Sequence, residues 1–99
     1  MTLIYKIYYD DWRIRIFGKE FVKNNGDNYK LIINNKEEEL KEYYYISDNK
    51  RILKIRLKEV KLINDMSYMF YECNQLISLS DILKWNINME LLINGKIYY

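Results

Sequence analysis

Ile52-Leu53-Lys54-Ile55-Arg56-Leu57 decides how the rest of the chain is read. From Leu53 onward apolar and basic side chains alternate, the period-2 pattern of a half-buried strand. Such a strand needs neighbours. Upstream, Ser47-Asp48-Asn49-Lys50 reads as a loop, and residues 37–45 read as another strand, although the three glutamates in it have weak β propensity. That stretch ends in Tyr43-Tyr44-Tyr45. Before it, Asn34-Asn35 is a tight-turn dipeptide, because Asn tolerates the left-handed region. The turn joins this strand to Tyr29-Lys30-Leu31-Ile32-Ile33, a third β-rich run.

Further upstream, residues 19–25 place Phe21 and Val22 on one side of a short helix. Asn24-Asn25-Gly26-Asp27 ends it, with Gly26 free to take a positive φ. Gly18 breaks the pattern before the helix. Arg13-Ile14-Arg15-Ile16-Phe17 alternates strictly, and Leu3-Ile4-Tyr5-Lys6-Ile7-Tyr8-Tyr9 is β-branched and aromatic. With Asp10-Asp11 as the turn, the two are expected to form a hairpin. The expected core is Ile14, Ile16, Phe21, Ile32, Ile55, Leu57, Met66, Met69, Phe70, Leu76, Leu79 and Trp85.

Downstream the character changes. Asp65 is placed to cap a helix over residues 66–72, with Met66, Met69, Phe70 and Cys73 on one apolar face. Leu76-Ile77-Ser78-Leu79 reads as a short strand and Asp81 as the cap of one more helical turn. Asn94-Gly95, flanked by apolar runs, is a strong hairpin signal. The run Asn64-Asp65-Met66-Ser67-Tyr68-Met69-Phe70-Tyr71-Glu72-Cys73, then Leu76-Ile77-Ser78-Leu79 and Asp81-Ile82-Leu83-Lys84-Trp85-Asn86, resembles the repeat unit of BspA-type leucine-rich-repeat surface proteins. The upstream β-rich stretch resembles the leader that precedes such repeats. The family's usual Leu-Pro step reads Leu79-Ser80 here, and one repeat is clear where members carry many. The resemblance implies a protein-binding role and, in longer members, a surface location.

A lone helix–strand unit cannot bury its apolar face, so it must stack on a neighbour. The strand over residues 52–57 is expected on one side, and the Asn94-Gly95 hairpin as a cap on the other. The expected class is therefore α+β with β dominant. Residues 1–62 form a five-strand leader with one short helix. Residues 63–99 form one leucine-rich-repeat-like unit with a hairpin cap, packed as one domain with the leader.

Composition narrows the function. The chain has 99 residues, a formal charge of +2, one cysteine and no histidine. At this length about 60–65% of the unfolded surface is buried, enough for one core. Without His, neither Ser47, Ser67, Ser78 and Ser80 nor Cys73 has a visible base, so no catalysis is expected. The carboxylates of Asp10-Asp11 and Glu37-Glu38-Glu39 diverge along turn or strand, and Asn24, Asn25 and Asp27 fall short of a calcium loop. No cofactor, metal or membrane span is expected. The lone thiol, no Asn-x-Ser/Thr sequon and no signal-peptide pattern read as an intracellular chain.

What remains is surface recognition. Trp12, Arg13, Arg15, Tyr43, Tyr44, Tyr45 and Tyr98 are of types enriched in interface hot spots, which reads as a protein–protein interaction module whose partner the sequence does not identify. The weaker reading is single-stranded nucleic acid, stacked on Trp12 and Phe17 and tracked by Arg13 and Arg15. A third reading is a non-functional fragment of a longer repeat protein, self-associating through bare strand edges.

Overall fold

The computed structural model describes residues 1–61 and 66–80. The alternating stretch at Ile52 becomes β6 (Ile52–Glu59), the central strand of an antiparallel five-stranded sheet. Its neighbours are β3 (Tyr29–Ile33) and β1 (Thr2–Lys6), flanked in turn by β4 (Lys36–Glu39) and β7 (Leu76–Leu79). The order is β4-β3-β6-β1-β7. Leu31 faces Leu57, and Leu3 faces Ile55, so the apolar positions of three strands fall in rows on one face. Leu3, Tyr5, Tyr29, Leu31, Ile33, Leu53, Ile55 and Leu57 are buried there. Lys54, Arg56 and Lys58 point the other way and are exposed.

β2 (Arg13–Arg15) and β5 (Tyr43–Tyr45) pair separately as a two-stranded antiparallel ribbon. The described residues thus contain seven strands in two antiparallel sheets and one short helix, α1 (Lys19–Asn25), a β-dominant α+β fold. No helix among them is long and apolar enough to cross a membrane. The helix has no side-chain N-cap. At seven residues it is too short to hold itself in water. It is held by Phe21, whose ring stacks on Phe17 at 5.6 Å and meets Tyr29 at 5.4 Å. Phe17 also stacks on Phe70 at 5.9 Å. The buried Tyr5 hydroxyl donates to the Ile16 carbonyl, a polar tie from the large sheet to the end of β2.

Several expectations are met. Helix α1 spans the predicted residues, and Asn34 and Asn35 turn β3 into β4 with φ of 52° and 64°. Both central residues of that turn are left-handed, as the primed hairpin turns require. Others are overturned. The predicted hairpin of the first two strands does not form. The turn exists, with the Asp11 amide donating to the Tyr8 carbonyl, but both edges of β1 are taken by β6 and β7. β1 gains two neighbours there, where a hairpin offers one.

The single strand expected over 37–45 splits at Leu40, which drops into the core and hands the chain from the large sheet to the ribbon. The strand β7 lies against β1, not against the strand at Ile52, which was its expected neighbour. Gly26 has φ −52° and is helical, so its freedom to go left-handed is unused. Ile32 is half-exposed, because the buried parity of β3 is Tyr29, Leu31, Ile33.

The helix expected over 66–72 is a chain of turns instead. Amides of Met69, Tyr71 and Cys73 bond to carbonyls three residues back, and Tyr68 and Glu72 are left-handed, with φ of 60° and 59°. Ser67, Tyr68, Phe70 and Tyr71 are mediocre helix formers in too short a run. The Met69 carbonyl is instead claimed by the Gly18 amide at 2.8 Å. Met69, Phe70 and Cys73 are nevertheless buried and Met66 partly so, as their spacing implied. The predicted cap at Asp65, the helical turn after Asp81, Trp85 and the Asn94-Gly95 hairpin lie outside the described residues.

Two glycines give opposite expectations. A Cβ on Gly18 would sit 1.9 Å from the Tyr68 carbonyl oxygen, whereas one on Gly26 would meet only the Val22 carbonyl oxygen, at 3.6 Å. Gly18→Ala should therefore cost about 1–3 kcal/mol by forcing the turn segment away. Gly26→Ala should add ~0.4–1 kcal/mol by restricting the unfolded chain. Urea midpoints of the two variants moving in the same direction would contradict this.

Candidate functional site

Alternation along the ribbon sorts its side chains. Ile14 is buried and Tyr44 packs beside it against the core. Arg13 faces Tyr45 and Arg15 faces Tyr43 on the outer side. The bonds that close the ribbon run from the Ile16 amide to the Glu42 carbonyl (2.7 Å) and from the Ile46 amide to the Trp12 carbonyl (2.9 Å). Hydrogen-bonded pairs alternate in an antiparallel ladder. Arg13–Tyr45 and Arg15–Tyr43 are therefore the non-hydrogen-bonded pairs, whose side chains stand closest.

The outer face is a stacked row. The Arg13 guanidinium carbon lies 4.8 Å from the Trp12 ring centroid and 4.1 Å from that of Tyr43. Arg15 lies 4.6 Å from the same Tyr43 ring and also bonds its hydroxyl. Arg15 is held further by Glu42 at 3.2 Å and by the Phe17 carbonyl at 3.4 Å. Trp12 and Tyr45 pack at 5.9 Å, tilted by 47°. Trp12 is 65% exposed and Tyr45 57%, more than buried packing alone would leave. Trp12 leaves a held turn: the Asp11 carboxylate accepts from the Tyr8 amide and from the Gln75 side chain, both at 2.7 Å.

Five of the seven residues singled out by type therefore meet on one surface: Trp12, Arg13, Arg15, Tyr43 and Tyr45. Tyr44 does not join them. It turns inward, with Lys41 Nζ 5.7 Å from its ring. Tyr98 lies outside the described residues. Phe17, the second platform of the nucleic-acid reading, is buried in the core and offers no face to a base. Glu42 was not anticipated, although an acid beside a tyrosine run opposite two arginines was a usable signal.

The two arginines differ in charge balance. Arg15 is neutralised by Glu42, whereas Arg13 has no carboxylate within reach among the described residues. On the open face of the large sheet, Lys30 pairs with Glu39 and Lys58 with Glu37. No cluster of three or more metal-binding side chains occurs among the described residues. Cys73 is a buried free thiol, pushed up to about 12 by burial, with Arg15 opposing and Glu72 adding to the rise. Burial likewise raises the Tyr5 and Tyr29 hydroxyls above their ordinary value.

These neutral groups set an alkaline limit. From about pH 9, the thiol's ordinary pKa, up to about 12, the folded chain keeps a Cys73 proton that the unfolded chain has lost. That contribution is complete below pH 9 and disappears as pH climbs towards 12; Tyr5 and Tyr29 act in the same sense from about pH 10. The urea midpoint should hold steady from pH 7 to about 8.5 and then fall. Cys73→Ala should delay the onset by about one pH unit. An onset unchanged in that variant would show that the thiol carries none of it.

No family model, curated protein or solved structure matches the chain.

Proposed function

We propose that this chain is a non-catalytic protein-interaction module whose docking surface is the outer face of the β2–β5 ribbon. The observation that carries the proposal is the row Trp12–Arg13–Tyr43–Arg15, stacked and braced yet exposed at the end where Trp12 packs beside Tyr45. Trp, Tyr and Arg dominate interface hot spots because each buries a large rigid area and carries a polar handle. Here the side chains are already ordered by one another and by Glu42, so docking loses less rotamer freedom. The resemblance of residues 64–86 to one leucine-rich-repeat unit supports the same reading.

Single-stranded nucleic acid fits the surface less well. Base stacking needs free ring faces, and Tyr43 is engaged by two guanidinium groups. Phe17 is buried, and the whole chain carries only +2 to attract phosphates.

The test is capture from lysate of the source by tagged wild type and by a Trp12→Ala/Tyr45→Ala double variant, each with and without nuclease. Both substituted side chains are exposed, so circular dichroism should show an unchanged fold. A discrete protein should bind wild type regardless of nuclease. The variant should bind it about 30-fold more weakly, as loss of about 2 kcal/mol at a hot spot implies. Capture indifferent to the double substitution, or abolished by nuclease, would remove this reading.

A further inference from the structure

The ribbon's backbone specifies a partner more narrowly than its side chains do. Since the Ile16 amide and the Trp12 carbonyl bond to the β5 side, the amides and carbonyls of Arg13 and Arg15 turn to the opposite edge of β2. No strand pairs with that edge among the described residues. The two edges of the five-stranded sheet are blunted. β7 carries a register shift against β1, and β4 carries three glutamates that are each paired with a lysine.

Arg13 adds the chemistry. Its guanidinium lies over the Trp12 and Tyr43 rings and makes no hydrogen bond or ion pair among the described residues, so its N–H donors are unspent there. A planar fork of this kind takes a carboxylate through two parallel bonds. Resting on the docking surface proposed above, we infer that the partner contributes an extended acidic segment that adds to β2 as a third strand of the ribbon. Residues of that strand opposite Arg13 and Arg15 share a face with the two guanidinium groups. The residue between them falls on the side of Ile14. The complementary pattern is an acidic residue opposite Arg13 followed by an apolar one, since Glu42 already neutralises Arg15.

A second copy of this chain is the poorer occupant. Two β2 strands would set arginine beside arginine. The acidic strand β4 offers Glu37 and Glu39 only after their bonds to Lys58 and Lys30 are broken. A nucleic acid has phosphates for Arg13 but no amides and carbonyls in strand register for the edge.

The experiment uses the full chain, isotope-labelled, titrated with a capped eight-residue peptide alternating glutamate and valine. Three controls accompany it: the peptide with lysine for glutamate, the acidic peptide N-methylated at every second residue on each parity in turn, and an oligothymidine. The amides of Arg13 and Arg15 should shift and saturate with the acidic peptide. N-methylation on the bonding parity should weaken binding at least tenfold, and on the other parity much less. Arg13→Glu should reverse the preference to the lysine peptide.

No saturable shift at these amides, equal binding of acidic and basic peptides, or indifference to N-methylation would overturn the inference. So would an oligothymidine that binds the same amides more tightly, or concentration-dependent association that fills the edge without peptide. Indifference to N-methylation together with Trp12-dependent capture leaves the docking surface standing and removes only strand addition. Loss of Trp12-dependent capture removes both.

Discussion

The ring of Phe17 is the point on which the separate pieces depend. It sits at the end of the short ribbon, stacks on Phe21 of the helix and on Phe70 of the turn segment, and reaches Tyr29 of the large sheet through Phe21. None of those pieces is stable alone. The ribbon has three-residue strands, the helix seven residues, and the turn segment two left-handed residues with side chains. Each left-handed residue costs roughly 1–2 kcal/mol, which only surrounding contacts can offset. Gly18 follows directly and lets the Tyr68 carbonyl approach where any side chain would collide. Aromatic stacking and that close approach act together, since the Gly18 amide bond to Met69 forms only if both are satisfied.

The parts of the fold legible in the sequence were those in which one strand or one turn declares itself. Leu53 to Leu57 shows its buried parity because lysine and arginine mark the other face. Asn34-Asn35 shows its turn because few other residues go left-handed twice in succession. In Tyr29-Lys30-Leu31-Ile32-Ile33 a single lysine marks the outer face, too weak a signal against three successive apolar residues, yet Ile32 shares its parity and is half-exposed. Pairing between strands was not legible. Nothing local to β1 says that residues 52–56 and 76–79 will outcompete the adjacent Arg13–Arg15. The spacing of Met66, Met69, Phe70 and Cys73 revealed burial but not the backbone, because successive turns can bury the same positions as a helix.

The candidate surface was legible as a list of residue types and not as a place. Trp12, Arg13 and Arg15 are near neighbours in sequence, but Tyr43 and Tyr45 reach them only because the strand expected over 37–45 breaks at Leu40. Parity within Tyr43-Tyr44-Tyr45 then follows from its partner: the tyrosine opposite Ile14 must go in, so the tyrosines opposite the arginines must go out. The three tyrosines are identical in sequence, and the pleat alone separates one core residue from two surface ones.

The same pleat explains why the surface is ordered without being closed. Arg15 spends its charge on Glu42 and its hydrogen bonds on the Tyr43 hydroxyl and the Phe17 carbonyl, which fixes the ring of Tyr43 from one side. That fixed ring, with Trp12, then holds the guanidinium of Arg13 over the two rings. Stacking of this kind restrains an arginine without consuming its donors, whereas a salt bridge consumes them. One arginine of the pair is thus structural and the other is presented, and the difference traces to a single carboxylate at Glu42. An arginine held in this way loses little entropy on meeting a carboxylate, so the recognition chemistry of the ribbon rests on Arg13, which has no carboxylate partner among the described residues.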